Sequence, residues 1–246
     1  FREYGQWLGL LGIEDVGALN EAVEEGRIRE AILVSEALHE KQIARIADEV
    51  THRAPRTRIV LIAGPSSSGK TTFVRRLAVQ IRVNAMRPLA IGLDDYFVDR
   101  ELTPRDASGD YDFEGLGAVN LALFEEHIMR LLAGERVTLP RFDFQQGKSL
   151  PGREVVLGES SLLLVEGIHG LNPALLPHMP PEATYRIYVS ALTQLNIDHH
   201  NRVPTTVVRL LRRMVRDAAH RGYSAQETIQ RWASVRRGEE ANIFPY

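Results

Sequence analysis

The run Gly64, Pro65, Ser66, Ser67, Ser68, Gly69, Lys70, Thr71 and Thr72 carries the densest chemistry in the chain. It matches G-x-x-x-x-G-K-[ST]; the β-branched apolar run Ile59-Val-Leu-Ile-Ala63 leads into it, and a helical pattern starts after Lys70. Strand, loop and helix in that order form a phosphate cradle. Gly64 and Gly69 permit backbone shapes and close approaches that a side chain would forbid. The loop N–H groups and the helix N-terminus then point at the anion. Lys70 would reach the terminal phosphates of a nucleoside triphosphate, and Thr71 would offer its hydroxyl to Mg²⁺. A Ser/Gly turn with a chance lysine would need neither flank.

Two further strand ends deliver carboxylates, and open parallel sheets bind ligands beyond the carboxyl ends of their strands. Leu89–Leu93 ends on Asp94, Asp95 and Tyr96, and Ser161–Val165 ends on Glu166. Glu166 has the position of the second group needed to hold a metal beside bound phosphates. Asp94 and Asp95 suit a different role, since transfer to an organic hydroxyl needs a carboxylate that orients it and takes its proton. Aspartate also caps turns, and one of the two is expected to do only that. Arg209, Arg213 and Arg216 fall at i, i+4 and i+7 with Arg212 beside them and Arg221 beyond. That face would clamp a transferring phosphoryl group, although the same spacing also makes a solvated basic face. Asp198-His199-His200 reads as a surface loop, because adjacent histidines cannot share a helix face and no further ligand cluster accompanies them.

The elements that hold these groups alternate strand and helix from Arg58 onward, the pattern of a parallel sheet with crossover helices. Strands are expected at Arg58–Ala63, Leu89–Leu93, Ser161–Val165 and Tyr185–Val189, with short candidates at Val137–Leu139 and Val155–Leu157. Helices are expected from Lys70 to about Ala85, Val119 to Leu132 closed by Gly134, Thr205 to His220, and Ser224 to about Arg237. Ser224-Ala-Gln-Glu227 opens the last one as a capping box. Asp99–Gly117 reads as a loop. Residues 1–55 form a separate helical segment that docks on the next domain, with Thr51–Pro55 as linker and 56–246 as the catalytic domain.

Composition narrows the class. The hydrophobic share of 44% is enough for a sizeable core, and a net charge of -2 argues against a protein that coats nucleic acid. With no cysteine, thiol catalysis and thiolate metal sites are excluded. No apolar run approaches the ~20 residues of a membrane span, so no membrane partner and a cytoplasmic location are expected. The chain opens on Phe1 rather than Met, which suggests an upstream region.

Taken together, Gly64–Thr71, Asp94–Phe97, Tyr111-Asp-Phe-Glu114, Phe142-Asp-Phe144, Leu164–Ile168 and Arg212–Asp217 with Arg221-Gly222 resemble the uridine kinase/phosphoribulokinase-type P-loop kinases over about residues 57–240. The chain is most similar to bacterial uridine kinase-like nucleoside kinases that carry a threonyl-tRNA synthetase-like N-terminal extension. The resemblance implies an α/β P-loop NTPase fold, ATP and Mg²⁺ as cofactors, a nucleoside-type small-molecule acceptor, a substrate-binding β-hairpin and an Arg-rich lid. It makes Asp94 the catalytic base, Glu114 the ribose-holding group, Glu166 with Thr71 the metal partners, Arg213 a substrate-site arginine, and Arg216 and Arg221 the lid arginines. Asp95, Tyr96 and Phe142 complete the expected acceptor side. Three positions depart from uridine kinases: Phe142 stands where they have tyrosine, Gly147 where they have histidine, and Tyr223 where they have an arginine. Loss of hydrogen-bonding groups to a base changes discrimination, which puts the acceptor rather than the phosphoryl chemistry in question. A sugar-phosphate or other small-metabolite kinase and a non-catalytic nucleotide-gated, RNA-related module are the alternatives. A homo-oligomer is compatible with the sequence.

Overall fold

A computed structural model describes residues 2–54, 56–106, 109–191, 195–198, 200–220 and 222–246. At its centre lies a four-stranded parallel sheet in the order β2-β5-β1-β6, formed by β1 (Ile59–Ala63), β2 (Arg87–Gly92), β5 (Ser161–Glu166) and β6 (Thr184–Tyr188). The two interior strands are the two unbroken apolar runs. A strand covered on both faces has no wet side to mark with polar residues.

Alternation along β1 and β5 sends side chains into two separate cores. Ile59, Leu61, Leu163 and Val165 face a layer containing Phe124, Ile128 and Leu131 of α5 (Leu121–Leu132), together with Val137 and Leu139. Val60, Ile62, Leu162 and Leu164 face Val74, Leu77 and Ile81 of α4 (Lys70–Val83) and Ile43, Ala47 and Val50 of α3 (Ile28–Arg53). The second half of α3 is therefore part of the main core. The expected separation at residue 55 has a different shape in the structure: only α1 (Arg2–Leu11) and α2 (Val16–Glu24), with the start of α3, form a cluster of their own around Ile13, Ala22 and Ala31. That cluster is tied back by Leu195 and by the Val16 N–H, which donates to Asn196 O at 3.0 Å.

The two short strand candidates form one long antiparallel hairpin, β3 (Arg136–Asp143) and β4 (Lys148–Val156), separate from the main sheet. Its length is hidden in the sequence by Pro140 and Pro151, which face each other across a break in register after Thr138. Two helices complete the carboxyl edge, α6 (Thr205–His220) and α7 (Ala225–Asn242). The capping box is present: Glu227 N–H donates to Ser224 Oγ at 3.2 Å and Ser224 N–H to Glu227 Oε2 at 2.7 Å. Among the described residues no helix is long and apolar enough to cross a membrane.

Candidate active site

Sheet order brings the chemistry together. Because β5 lies between β2 and β1, Glu166 is in register with both Gly92 and Ile62. The carboxylates after β2 and β5 and the loop after β1 thus share one edge. Gly64 turns out of β1 against β6, where a side chain would overlap the Val189 carbonyl oxygen. Gly69 takes φ 100 immediately before α4, a conformation L-residues avoid. Ser67 adopts φ 60 in the same loop, so the loop's shape is held by its surroundings rather than by local preference. Its Oγ and that of Ser68 are buried without a hydrogen-bond partner among the described residues, as suits a loop built to receive phosphate oxygens.

Lys70 Nζ donates to Gly64 O at 2.8 Å and Pro65 O at 3.2 Å. Burial pushes its pKa down, while Asp94, Glu166 and Glu114 pull it back up. Thr71 Oγ1 donates to Glu166 Oε1 at 2.6 Å. This hydroxyl–carboxylate pair is an oxygen donor set suited to Mg²⁺ shared with phosphates. Burial raises the pKa of Glu166, opposed by the Thr71 bond and by Lys70.

The adjacent aspartates both lie in a 3-10 turn, Leu93–Tyr96, which gives them different surroundings. Asp94 is exposed and acts electrostatically on Lys70, Glu114 and Glu166. Asp95 is pushed up by burial, bonded to the backbone of Phe142 and faced by Arg153 and Arg141. It ties the turn to the hairpin. Tyr96, expected on the acceptor side, is instead 1% exposed in the core, with its hydroxyl 3.1 Å from His127 Nδ1 and its ring edge-on to Phe124. A 3-10 turn rotates each residue by about 120°, which sends Tyr96 inward when Asp94 faces out.

Glu114 lies at the junction of all these groups. Burial pushes its carboxyl up to about 7; Asp94 and Glu239 add to that rise, while Arg213 and Lys70 oppose it. Phe142 is buried, edge-on to Phe97 at 5.6 Å and Phe144 at 5.2 Å. Gly147 takes φ 70, and a Cβ there would lie 2.8 Å from the Arg100 guanidinium carbon, which covers the hairpin turn. Arg100 Nη2 donates to Phe144 O at 2.7 Å. A histidine at 147 would meet both the φ and the arginine.

The arginine face divides by depth. Arg213 Nη1 donates to Ser66 Oγ at 2.8 Å and Arg212 Nε to Ser67 O at 3.1 Å, so α6 grips the loop directly. Arg216 is held by Asp217 Oδ1, at 2.8 Å from Nη2. Arg209, expected on the same solvent-facing clamp, is 2% exposed and paired with Glu239 of α7. Arg221 lies outside the described residues, as does His199; Asp198 caps its own loop, accepting from the His200 and Asn201 N–H groups at 2.8 and 2.7 Å. No motif marked Glu239 or Asn242, although both reach the site from the last helix. Their one signal is a Gly-Glu-Glu break in the helix pattern.

A family model described as Phosphoribulokinase / Uridine kinase family matches residues 59–245. The chain belongs to this family. Uridine kinase of Saccharomyces cerevisiae is 30% identical over 178 residues, covering 71% of this chain and 32% of the yeast protein. Uridine kinase of Chloroflexus aggregans is 29% identical over 179 residues, covering 73% of this chain and 77% of the relative. The chain thus spans about a third of the yeast protein. Among solved structures, a Silicibacter protein described as a fructose transport system kinase superposes with a TM-score of 0.56 at 20% identity, covering 81% of this chain and 94% of its own. That likeness shows the fold. As a member of the phosphoribulokinase/uridine kinase family, the chain is an ATP-dependent phosphotransferase of the nucleoside or small-metabolite kinase type.

Proposed function

We propose that the protein transfers the γ-phosphoryl group of ATP to a hydroxyl of a small acceptor, foremost the 5′-hydroxyl of a nucleoside. The observation that carries this reading is the Thr71–Glu166 bond beside Lys70, with Asp94 on the next strand end. In this reading Lys70 and the loop N–H groups hold the β- and γ-phosphates. Thr71 and Glu166 would hold Mg²⁺, which when bound neutralises charge on those phosphates.

Asp94 takes the proton of the acceptor hydroxyl as its oxygen bonds to the γ-phosphorus. The bond from that phosphorus to the bridging oxygen breaks, and ADP leaves with the electron pair. Arg213, bonded to Ser66 Oγ, and Arg216, which acts electrostatically on Lys70, would add positive charge where the transferring group builds up negative charge. Glu114, poised near neutrality, accepts hydrogen bonds from acceptor hydroxyls once ionised.

The names of the relatives favour a nucleoside. Phe142, which has no hydroxyl, and the Arg100 guanidinium over Gly147 favour a second reading, a sugar-phosphate acceptor. Coupled ADP release against ribonucleosides, deoxyribonucleosides and sugar phosphates separates the two. ADP release that no acceptor stimulates would overturn both.

A further inference from the structure

The phosphoryl-transfer reading leaves the contacts of the Ser66 backbone with Glu239 and Arg209 without a role. Ser66 is gripped from both sides: its N–H donates to Glu239 Oε1 at 3.2 Å, and its carbonyl oxygen accepts from Arg209 Nε at 3.1 Å. Arg209 Nη2 closes the ring by donating to the same Glu239 oxygen. The other oxygen of Glu239 takes Arg236 Nη1 at 2.9 Å, and the Arg209 guanidinium lies 5.4 Å from the Trp232 ring centroid. Glu239 and Arg209 are 1% and 2% exposed. Burying such a pair gains little net stability, because desolvation offsets the attraction. A single well-packed geometry is what it does provide, and here that geometry is imposed on the loop that includes the strained Ser67.

The same turn of α7 touches the acceptor side. Asn242 Nδ2 donates to Glu114 O at 3.0 Å and to Gly238 O at 3.0 Å. Gly238 packs on Glu114 so closely that a Cβ there would overlap the Glu114 side chain. Residues 238 to 242 rise about 6 Å along the helix. Within that span one rigid element meets the donor loop and the backbone and side-chain stem of Glu114.

We propose that Gly238–Asn242 is a positioning element that fixes the separation of the two half-sites, Glu239 acting on the donor through Ser66, and Gly238 and Asn242 on the acceptor through Glu114. The inference rests on reading the loop as the ATP site and Glu114 as an acceptor group.

Three variants test it in the full chain, with equilibrium binding of a fluorescent ATP analogue, steady-state kinetics on the best acceptor and thermal melting. Glu239→Gln is expected to weaken nucleotide binding about tenfold or more, with acceptor KM within about twofold. That KM is compared well above the Glu114 pKa of about 7, where the carboxyl is ionised in both proteins. Asn242→Ala is expected to raise acceptor KM about fivefold or more, with nucleotide affinity within about twofold. The pair Arg209→Met/Glu239→Leu removes both charges, so it recovers thermal stability relative to Glu239→Gln but not nucleotide affinity. A paired variant that binds the analogue like wild type reduces Glu239 to a structural role and overturns the donor half. An unchanged acceptor KM in Asn242→Ala overturns the acceptor half. A wild type that binds the analogue yet phosphorylates no acceptor sinks the kinase reading and the acceptor half with it, while the binding arm still decides Glu239.

Discussion

Asp94 and Asp95 are neighbours in sequence with opposite surroundings, and substitution should separate them. Asp94→Asn is expected to lower kcat by about 10²–10⁴, the usual worth of a positioned general base, with nucleotide affinity unchanged. Asp95→Asn should instead lower the melting temperature, because its carboxyl bonds the backbone of Phe142 and joins the turn to the hairpin. Equal kcat losses in the two would show that the assignment of Asp94 is wrong. Glu114 gives a pH signature. A carboxyl with a folded pKa of about 7 against an ordinary, unfolded-chain value of 4.5 holds its proton more tightly in the folded state. Its stabilising contribution is present below about pH 4.5 and is lost as pH climbs through about 7. Glu114→Gln should therefore gain stability relative to wild type across that window in denaturant titrations at successive pH values. Acceptor KM should fall in wild type as pH rises from about 6 to 8, because the ionised carboxylate accepts through both oxygens, whereas the protonated acid has one of them as an O–H donor. It should stay flat in Glu114→Gln.

At the scale of elements, the hairpin turn and the arginine helix each carry a lesson. Gly147→His places a side chain at φ 70 against Arg100, so a loss of roughly 1–3 kcal/mol is expected from chemical denaturation. Arg100→Ala added to it should recover only the steric part, since the φ remains. Full recovery would mean that the backbone conformation costs nothing there. The arginines of α6 show why a helical wheel did not suffice. Arg209, Arg212, Arg213 and Arg216 are close in angle, yet their depth differs, because α7 lies across the face at Glu239.

For the whole molecule, α3 is the informative case. A dispensable appendage would tolerate change at its interface, but Ile43 is 1% exposed within the core that contains β1, β5 and α4. Ile43→Ala is expected to cost about 2–5 kcal/mol and to lower the melting point of the entire cooperative transition. A separate low-temperature transition with the main one unmoved would restore the boundary near residue 55. The sheet itself explains why the site is compact: order β2-β5-β1 places two carboxylate-bearing strand ends beside the phosphate loop.

The local signals were legible because their physics is local. The phosphate loop, the buried strands, the capping box at Ser224 and the carboxylates at strand ends all follow from conformational preference and periodicity within a few residues. These determined the fold class and the donor half of the candidate site. Tertiary structure decided the rest, because it depends on which distant elements touch. It turned Tyr96 inward to His127, assigned Asp95 to the hairpin, merged α3 into the core and buried Arg209 against Glu239. It also brought the last helix to Ser66 and Glu114 together, a juxtaposition of residues 173 and 128 positions apart that no spacing rule could carry.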